Sequence, residues 1–226
     1  MIRHFTCLLL LAATGPFLTA SRASLVDVRG VHTDIRVSWD NDSESLALHW
    51  KTTSLYEPAD AFASILPEQT FARPSGAQWD FMGLAAGETY WRAYRNQEPD
   101  YLYLGFDVQL PSDATFSLLN VAGPGAVSVW GTSSSIYWAS HTAPANQSFV
   151  LTSGEHMHAN WGFTQQGVYI LTIGVEAVIN GITESTQADF RFEIGAIPEP
   201  ASAASLLGLC AVAFALIRRA PRPSLS

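Results

Sequence analysis

Two histidines separated by one residue, His156 and His158, are the strongest candidates for chemistry in this sequence. In a β-strand, alternate residues share a face, and their Cα atoms are about 7 Å apart. That spacing allows two imidazoles to chelate one metal ion, and zinc sites commonly combine imidazoles with a carboxylate. Because two ligands alone hold a metal poorly, further donors must come from elsewhere in the chain.

A second pair with the same spacing, His32 and Asp34, lies in the first predicted strand. A His-x-Asp strand beside the His-x-His strand would supply three imidazoles and one carboxylate. That set suits a divalent metal: zinc is favoured, and manganese or iron is compatible if water completes the shell. Glu155 and His141 are reserve donors. The alternative is that all these side chains are ordinary polar residues, because the outer face of a half-buried strand must be polar.

The aromatic residues suggest a second kind of site. Among seven tryptophans, Trp91 and Trp138 are candidates for a ligand groove, because exposed aromatic rings of sugar-binding modules stack on pyranose rings. The alternative is core packing, which we expect for Trp39, Trp50 and Trp161 on predicted buried faces. The groove would favour a structural or carbohydrate-binding module of the extracellular matrix over a metal-binding protein.

Catalytic motifs are sparse. The sequence contains no Gly-x-Ser-x-Gly elbow, phosphate-binding loop or dinucleotide fingerprint. A metal-dependent hydrolase would need three ligands, an open coordination position and a base. Glu155 is a candidate base, but no His-Glu-x-x-His pattern accompanies it. The sequence therefore favours a non-catalytic protein, with a metal-dependent hydrolase as the weaker alternative.

The elements that must position these residues are predicted to be strands throughout. Residues 31–39 and 46–50 alternate apolar and polar residues around an Asn41-Asp42-Ser43 turn. Residues 168–179 and 182–194 flank Asn180-Gly181, which is typical of a type I′ hairpin. Further strands are predicted at 101–110, 115–121, 126–131 and 156–163, the last with Met157, Ala159, Trp161 and Phe163 buried and Asn160 on the histidine face. Short strands separated by turns predict an all-β fold, an immunoglobulin-like antiparallel β-sandwich.

The ends of the chain are predicted to be targeting segments. Residues 1–23 have the polar start, apolar run and small-residue cleavage site of a signal peptide. Residues 24–196 would form the single exported domain. Residues 197–226 contain a Pro-Glu-Pro motif, an apolar stretch at 201–217 at the lower length limit for a transmembrane helix, and a basic tail. The residues of this motif are Pro198, Glu199, Pro200, Arg218 and Arg219.

The C-terminal pattern resembles the PEP-CTERM sorting signal, in which the same three parts occur in this order. The resemblance implies a Gram-negative envelope protein that is anchored in the inner membrane by its C-terminal helix until an exosortase cuts near the motif. The present chain continues to Ser226 beyond the arginines, a small departure from that pattern. A plain C-terminal membrane anchor is the alternative.

Charge and cysteine content exclude some classes of function. Residues 24–196 carry seven basic and nineteen acidic side chains, a formal charge of −12. Nucleic-acid binding requires a basic face, and none is evident. Both cysteines, Cys7 and Cys210, lie outside the predicted exported domain, so that domain has neither a disulfide nor a cysteine metal ligand.

Five short motifs together resemble the choice-of-anchor M domain, a surface-anchored protein family, over most of residues 30–195. The resemblance implies an exported domain that handles a metal outside the cell, since some relatives are encoded beside metal-type ABC transporters. In the first motif Val31 separates Gly30 from His32, whereas many relatives place the glycine next to the histidine. The motifs are Gly30–Asp34, Leu102–Phe106, Val121–Gly125, His156–Phe163 and Gly167–Tyr169.

Overall fold

The computed structural model describes residues 24–132, 135–142 and 147–195. Of these residues, 57% are in strands and 4% in helix, which confirms the prediction of an all-β chain. The helical part is a single 3₁₀ helix, Ala77–Met82. The strands are β1 (Val26–Asp27), β2 (His32–Asp40), β3 (Ser45–Lys51), β4 (Leu55–Tyr56), β5 (Ala61–Ile65), β6 (Thr70–Ala72), β7 (Thr89–Ala93), β8 (Tyr103–Gln109), β9 (Ala114–Ala122), β10 (Val127–Trp130), β11 (Ile136–Ala139), β12 (Ser148–Leu151), β13 (His156–His158), β14 (Asn160–Phe163), β15 (Gly167–Ile179) and β16 (Ile182–Ile194).

The described strands form three sheets. Sheet I has the order β1-β5-β16-β15-β9-β12, sheet II the order β13-β8-β2-β3-β4, and sheet III the order β11-β10-β14-β7-β6. The prediction of an antiparallel sandwich needs correction, because β2 pairs with β8 in parallel and β5 pairs in parallel with both β1 and β16. Such parallel neighbours need long crossovers, which alternation along a single strand does not indicate.

Sheets II and III pack their aromatic side chains against sheet I. Trp50 of sheet II lies 4.9 Å from the Phe190 ring of sheet I, and Trp161 of sheet III lies 5.6 Å from Phe192. The Phe106 ring stacks on Trp161 and so joins sheets II and III. One continuous core therefore lies between sheet I and the other two, as expected for a sandwich.

The long hairpin of β15 and β16 confirms the most specific strand prediction. The two strands pair from Gly167 and Ile194 to Ile179 and Ile182 without a break in register. Asn180 and Gly181 have φ angles of 52° and 81°. Both central residues thus have the positive φ that a type I′ turn requires.

The hairpin of β2 and β3 is also present, with one difference at its start. Leu46, Leu48 and Trp50 alternate inward as predicted. Val31, the first apolar residue of the predicted strand 31–39, precedes β2 and is 43% exposed. The strand begins one residue later, at the ligand candidate His32, and Thr33 is its first side chain that faces inward.

Tyr169 fixes the entry to β15. Its hydroxyl donates to the Gln165 carbonyl at 2.9 Å and accepts from the Gln165 N–H at 3.2 Å. A tyrosine that bonds back to the backbone four residues upstream resembles the tyrosine corner of Greek-key sandwiches. Burial raises the pKa of Tyr169 to about 12, so the hydroxyl remains a donor throughout the neutral range.

Several predicted segments lie outside the described residues. These are the signal peptide at 1–23, the Pro-Glu-Pro motif, the transmembrane helix at 201–217 and the arginine pair. Within the described part of the chain, no helix has the length and apolar character needed to cross a bilayer.

Candidate metal centre

Three neighbouring strands of sheet II bring the predicted ligands together. His158 on β13 pairs with Gly105 on β8, and Gly105 pairs with Asp34 on β2. One step along the same strands, His156 pairs with Asp107, and at the other end His32 pairs with Tyr103. The side chains of paired residues point to the same face of a sheet, so all four candidates project from the outer face.

Gly105 is the floor of the site. The strands that carry His158 and Asp34 are two strand spacings apart, about 10 Å, so these side chains must cross β8 to meet. A Cβ at Gly105 would lie 2.6 Å from Asp34 Oδ1 and 2.9 Å from His158 Nδ1. The missing side chain therefore provides the space in which the donors converge. Gly105 belongs to the sequence motif Leu102–Phe106, but its role in the site depends on how β8 pairs with β2 and β13, which are distant from it in sequence.

The four donors form a compact group. The distances from His32 Nε2 are 3.1 Å to His156 Nε2, 2.8 Å to His158 Nε2 and 3.3 Å to Asp34 Oδ2. Asp34 Oδ1 lies 2.9 Å from His156 Nε2 and 3.8 Å from His158 Nε2. One donor atom from each side chain lies within 4.8 Å of all the others.

These separations fit a metal ion at the centre. Two donors that each bind zinc at about 2.0–2.1 Å in a tetrahedron are about 3.3 Å apart. The five distances above, 2.8 to 3.8 Å, bracket that value. Three imidazole nitrogens and a carboxylate also match the ligand types that zinc prefers. The residues present could therefore hold a metal ion.

Burial divides the donors into two pairs. The side chains of Asp34 and His158 are 6% and 9% exposed, whereas those of His32 and His156 are 47% and 40% exposed. Burial, together with the His156 and His32 imidazoles, lowers the pKa of His158 to about 4. His158 is therefore neutral at neutral pH and offers a free lone pair. Burial also raises the pKa of Asp34, an effect that His156 and His32 oppose.

Comparison with known proteins adds no family to this picture. A scan of protein families, a search of curated proteins and a search of solved structures each gave no match to the chain. The convergence of His32, Asp34, His156 and His158 is therefore the main observation from which a function can be argued.

Tyr103 orients two of the imidazoles. Its ring stacks on His158 at a centroid distance of 3.6 Å and an interplanar angle of 6°, and it lies 5.2 Å from the His32 ring. A stacked phenol ring restricts rotation of an imidazole and so keeps Nε2 directed at the other donors. The sequence motif included Tyr103, but only the pairing of β2 with β8 places it beside His32.

The strand that carries the histidine pair differs from the prediction. Residues 156–163 are not one strand: β13 pairs with β8 in sheet II, whereas β14 pairs with β7 and β10 in sheet III. The alternation nevertheless continues across Ala159, since Ala159, Trp161 and Phe163 are buried in the core. Asn160 is covered rather than exposed, and its amide donates to the Gly131 carbonyl at 2.9 Å.

The two reserve donors lie elsewhere. Glu155 Oε2 accepts from the Thr152 N–H and hydroxyl, each at 2.9 Å, and so closes the turn before β13. The His141 ring lies against Gly83, at the end of the 3₁₀ helix. Neither side chain belongs to the donor group found among the described residues.

The tryptophan groove is not formed. Trp138 is fully buried and packs edge-on against Phe106 and Trp161 at 5.2 and 5.7 Å. Trp91 is only partly buried, but it packs against the same core, and its indole N–H is enclosed. The two residues therefore share no exposed face, and the prediction of a groove at this position was wrong.

Proposed function

We propose that this protein binds one divalent metal ion, with zinc favoured over manganese or iron, through His32, Asp34, His156 and His158. The observation that carries the proposal is that donors from two segments 122 to 126 residues apart meet at one point. Polar residues that only keep the outer face of a sheet soluble would each extend into solvent, without converging on one point. Here they crowd within hydrogen-bonding distance of each other above a glycine.

The donor set favours binding over catalysis. Catalytic zinc usually has three protein ligands and an open position for water, whereas four protein ligands fill a tetrahedron. The nearby carboxylate of Asp107 is already engaged by Arg36, and Glu155, the candidate base, is used in a turn. We therefore propose a non-catalytic metal-binding role and place the metal-dependent hydrolase second.

The cellular setting of this proposal rests on the sequence. We propose export by the segment 1–23, anchoring in the inner membrane by 201–217, and processing by an exosortase at the PEP-CTERM-like motif of a Gram-negative bacterium. The resemblance to the choice-of-anchor M domain supports a role at the cell envelope or surface. It also supports a metal-type ABC transporter or an extracellular polysaccharide as the partner class.

We also propose that the sandwich is immunoglobulin-like in general form. The back-bonded Tyr169 and the long terminal hairpin support this, because both are common in Greek-key sandwiches. The parallel pairings of β2 with β8 and of β5 with β1 and β16 are departures from an antiparallel arrangement.

Metal content tests the proposal directly. The purified full-length chain and a His156→Ala/His158→Ala variant are exposed to zinc, desalted and measured by elemental analysis. We expect one equivalent of zinc in the parent. The variant loses two of its four ligands, so its zinc affinity should fall by about 100-fold or more and it should retain little zinc after desalting.

A matched control removes two histidines from outside the site. His49 lies beside Glu57, and His141 lies beside Gly83. The His49→Ala/His141→Ala variant should retain the full equivalent of zinc. Absence of bound zinc, manganese and iron from the parent would refute the proposal and leave a structural matrix module without a metal site as the better description.

A further inference from the structure

A second carboxylate, Asp107, stands beside the metal centre. Asp107 is the direct cross-strand neighbour of His156 on the outer face of sheet II, where paired Cβ atoms are about 4.5–5.5 Å apart. It is 5% exposed, so few waters solvate its charge. Asp107 also follows Gly105 by two residues along β8, so its side chain lies on the same face as the candidate ligands.

Both oxygens of Asp107 are occupied by donors. Arg36 Nε and Nη2 lie 2.6 and 2.5 Å from Oδ2, and Gln109 Nε2 donates to Oδ1 at 2.8 Å. Arg36 is the cross-strand partner of Asp107 on the side opposite His156. The carboxylate is therefore held toward β2 and away from the imidazoles by a two-donor contact with a permanently charged guanidinium.

The chemistry of the site depends on whether this carboxylate coordinates. Three imidazoles and one carboxylate form a nitrogen-rich, four-ligand set that suits zinc. A second carboxylate would add a hard oxygen donor and a fifth ligand, and manganese favours such oxygen-rich sites with higher coordination numbers. Adjacent groups that orient or restrain ligands commonly change metal affinity by about 10–100-fold.

We propose that Arg36 determines the metal preference of this site by holding Asp107 out of the coordination sphere. The inference rests on the proposed metal-binding function and adds the residue that makes the site selective for zinc over manganese. Arg36 is a positioning residue: it touches the competing carboxylate and not the metal.

The test compares zinc and manganese binding to the full-length chain and its Arg36→Gln variant. Manganese affinity is measured from the electron paramagnetic resonance signal of free Mn²⁺, and zinc affinity by competition with a chromophoric chelator. We expect the ratio of zinc to manganese affinity to fall by about tenfold or more in Arg36→Gln, because Asp107 becomes available as a ligand. The Arg36→Gln/Asp107→Asn double variant should recover the parental ratio.

Lys51 provides the matched control for simple loss of positive charge. It is the cross-strand neighbour of Asp34 on β3 and donates to the Thr52 carbonyl, and among the described residues no carboxylate forms an ion pair with it. Lys51→Gln should raise the affinities for both metals by similar factors and leave their ratio unchanged. If Arg36→Gln also raised the zinc and manganese affinities by equal factors, the inference would be overturned, because the loss of positive charge alone would explain the result.

Arg36→Gln leaves a buried carboxylate without its cation, so its fold must be checked by circular dichroism. If it does not fold, Arg36→Lys preserves the charge but loses the two-donor hold, and we expect a change of about threefold in the same direction. An unchanged ratio in a folded variant overturns the inference. Failure of the parent to bind zinc refutes the proposed function itself, so the two failures are distinguishable.

Discussion

At the residue scale, the candidate metal centre combines a buried half and an exposed half. Asp34 and His158 are buried, and His158 is fixed further by the Tyr103 ring. His32 and His156 are about half exposed, so they form the side of the site that faces water. A metal ion could therefore enter from solvent past these two imidazoles, toward two ligands that the core already holds in place, which reduces the entropy cost of binding.

Gly105 should be as important for metal binding as a ligand, although it donates nothing. In Gly105→Ala the new Cβ would collide with Asp34 Oδ1 and with the Met157 carbonyl, each 2.6 Å away. Since a backbone carbonyl cannot rotate away, β13 must shift relative to β8. We expect zinc affinity, measured by chelator competition, to fall by about tenfold or more, as for other residues that position metal ligands.

A second crowded strand glycine controls for the added methyl group. At Gly174 the Cβ would meet the Cδ1 methyl of Leu119 at 2.8 Å, and Leu119 is an exposed side chain that can rotate. Gly174→Ala should therefore bind zinc like the parent. Equal zinc affinity in Gly105→Ala and Gly174→Ala would show that the floor of the site is not needed.

The four candidate ligands could be predicted from sequence because the two-residue period of a strand places both members of each pair on one face. The contributions of Gly105 and Tyr103 could not. Both act through the parallel register of β2 and β8, which are separated by more than sixty residues, and nothing local in either strand encodes that register. The roles of Arg36 and Asp107 could not be predicted for the same reason. Within its own strand each is an ordinary outer-face residue, and only the pairing of β2 with β8 brings the two side chains together.

At the element scale, strand predictions were confirmed where the turn residues and the alternation of apolar and polar residues indicated the same hairpin. Asn180-Gly181 and the flanking periodic residues specify one hairpin, and it is present in full. Residues 136–139 show the opposite case. Tyr137 and Trp138 are adjacent aromatics without clear alternation, so local sequence could not indicate which one faces the core; Trp138 is the buried one.

The corner at Tyr169 predicts a pH-dependent contribution to stability. Tyr169→Phe removes the hydroxyl that donates to the Gln165 carbonyl and should lower the free energy of unfolding by about 1 kcal/mol at neutral pH. The pKa of Tyr169 is raised from 10.0 to about 12, so its stabilising effect is complete below pH 10 and is lost as pH rises toward 12. The difference between parent and variant in urea unfolding should therefore shrink over that interval.

Tyr56→Phe is the control for this experiment, because the Tyr56 hydroxyl forms no hydrogen bond with another described residue. It should leave the unfolding free energy nearly unchanged at neutral pH. If Tyr169→Phe is as stable as the parent, the back-bonded corner contributes nothing to the fold.

At the scale of the whole molecule, the core and the site lie on opposite faces of sheet II. Trp50 and Phe106 fill the space against sheet I, while the candidate metal ligands project outward. No cysteine occurs in the described residues, so their fold relies on this apolar core rather than on disulfides. The chain thus differs from small zinc domains, in which the metal supplies the folding free energy itself.

Metal removal should therefore leave the fold intact while lowering its stability. The metal-free chain should keep its far-ultraviolet circular dichroism spectrum. Zinc at about 100 times its Kd should stabilise the native state by about 2.7 kcal/mol, because it binds the folded chain alone. For a domain of this size that corresponds to a rise in Tm of about 5–10 °C, measured by thermal unfolding with and without a chelator.

The His156→Ala/His158→Ala variant separates this effect from non-specific stabilisation. It should unfold at the same temperature with and without zinc, because only His32 and Asp34 remain to bind the ion. Loss of the parent's β-sheet spectrum on chelation would contradict the expectation, since it would mean that the ion supports the core and not only the outer face. A zinc-dependent rise in Tm of equal size in parent and variant would locate the bound ion away from the four converging side chains.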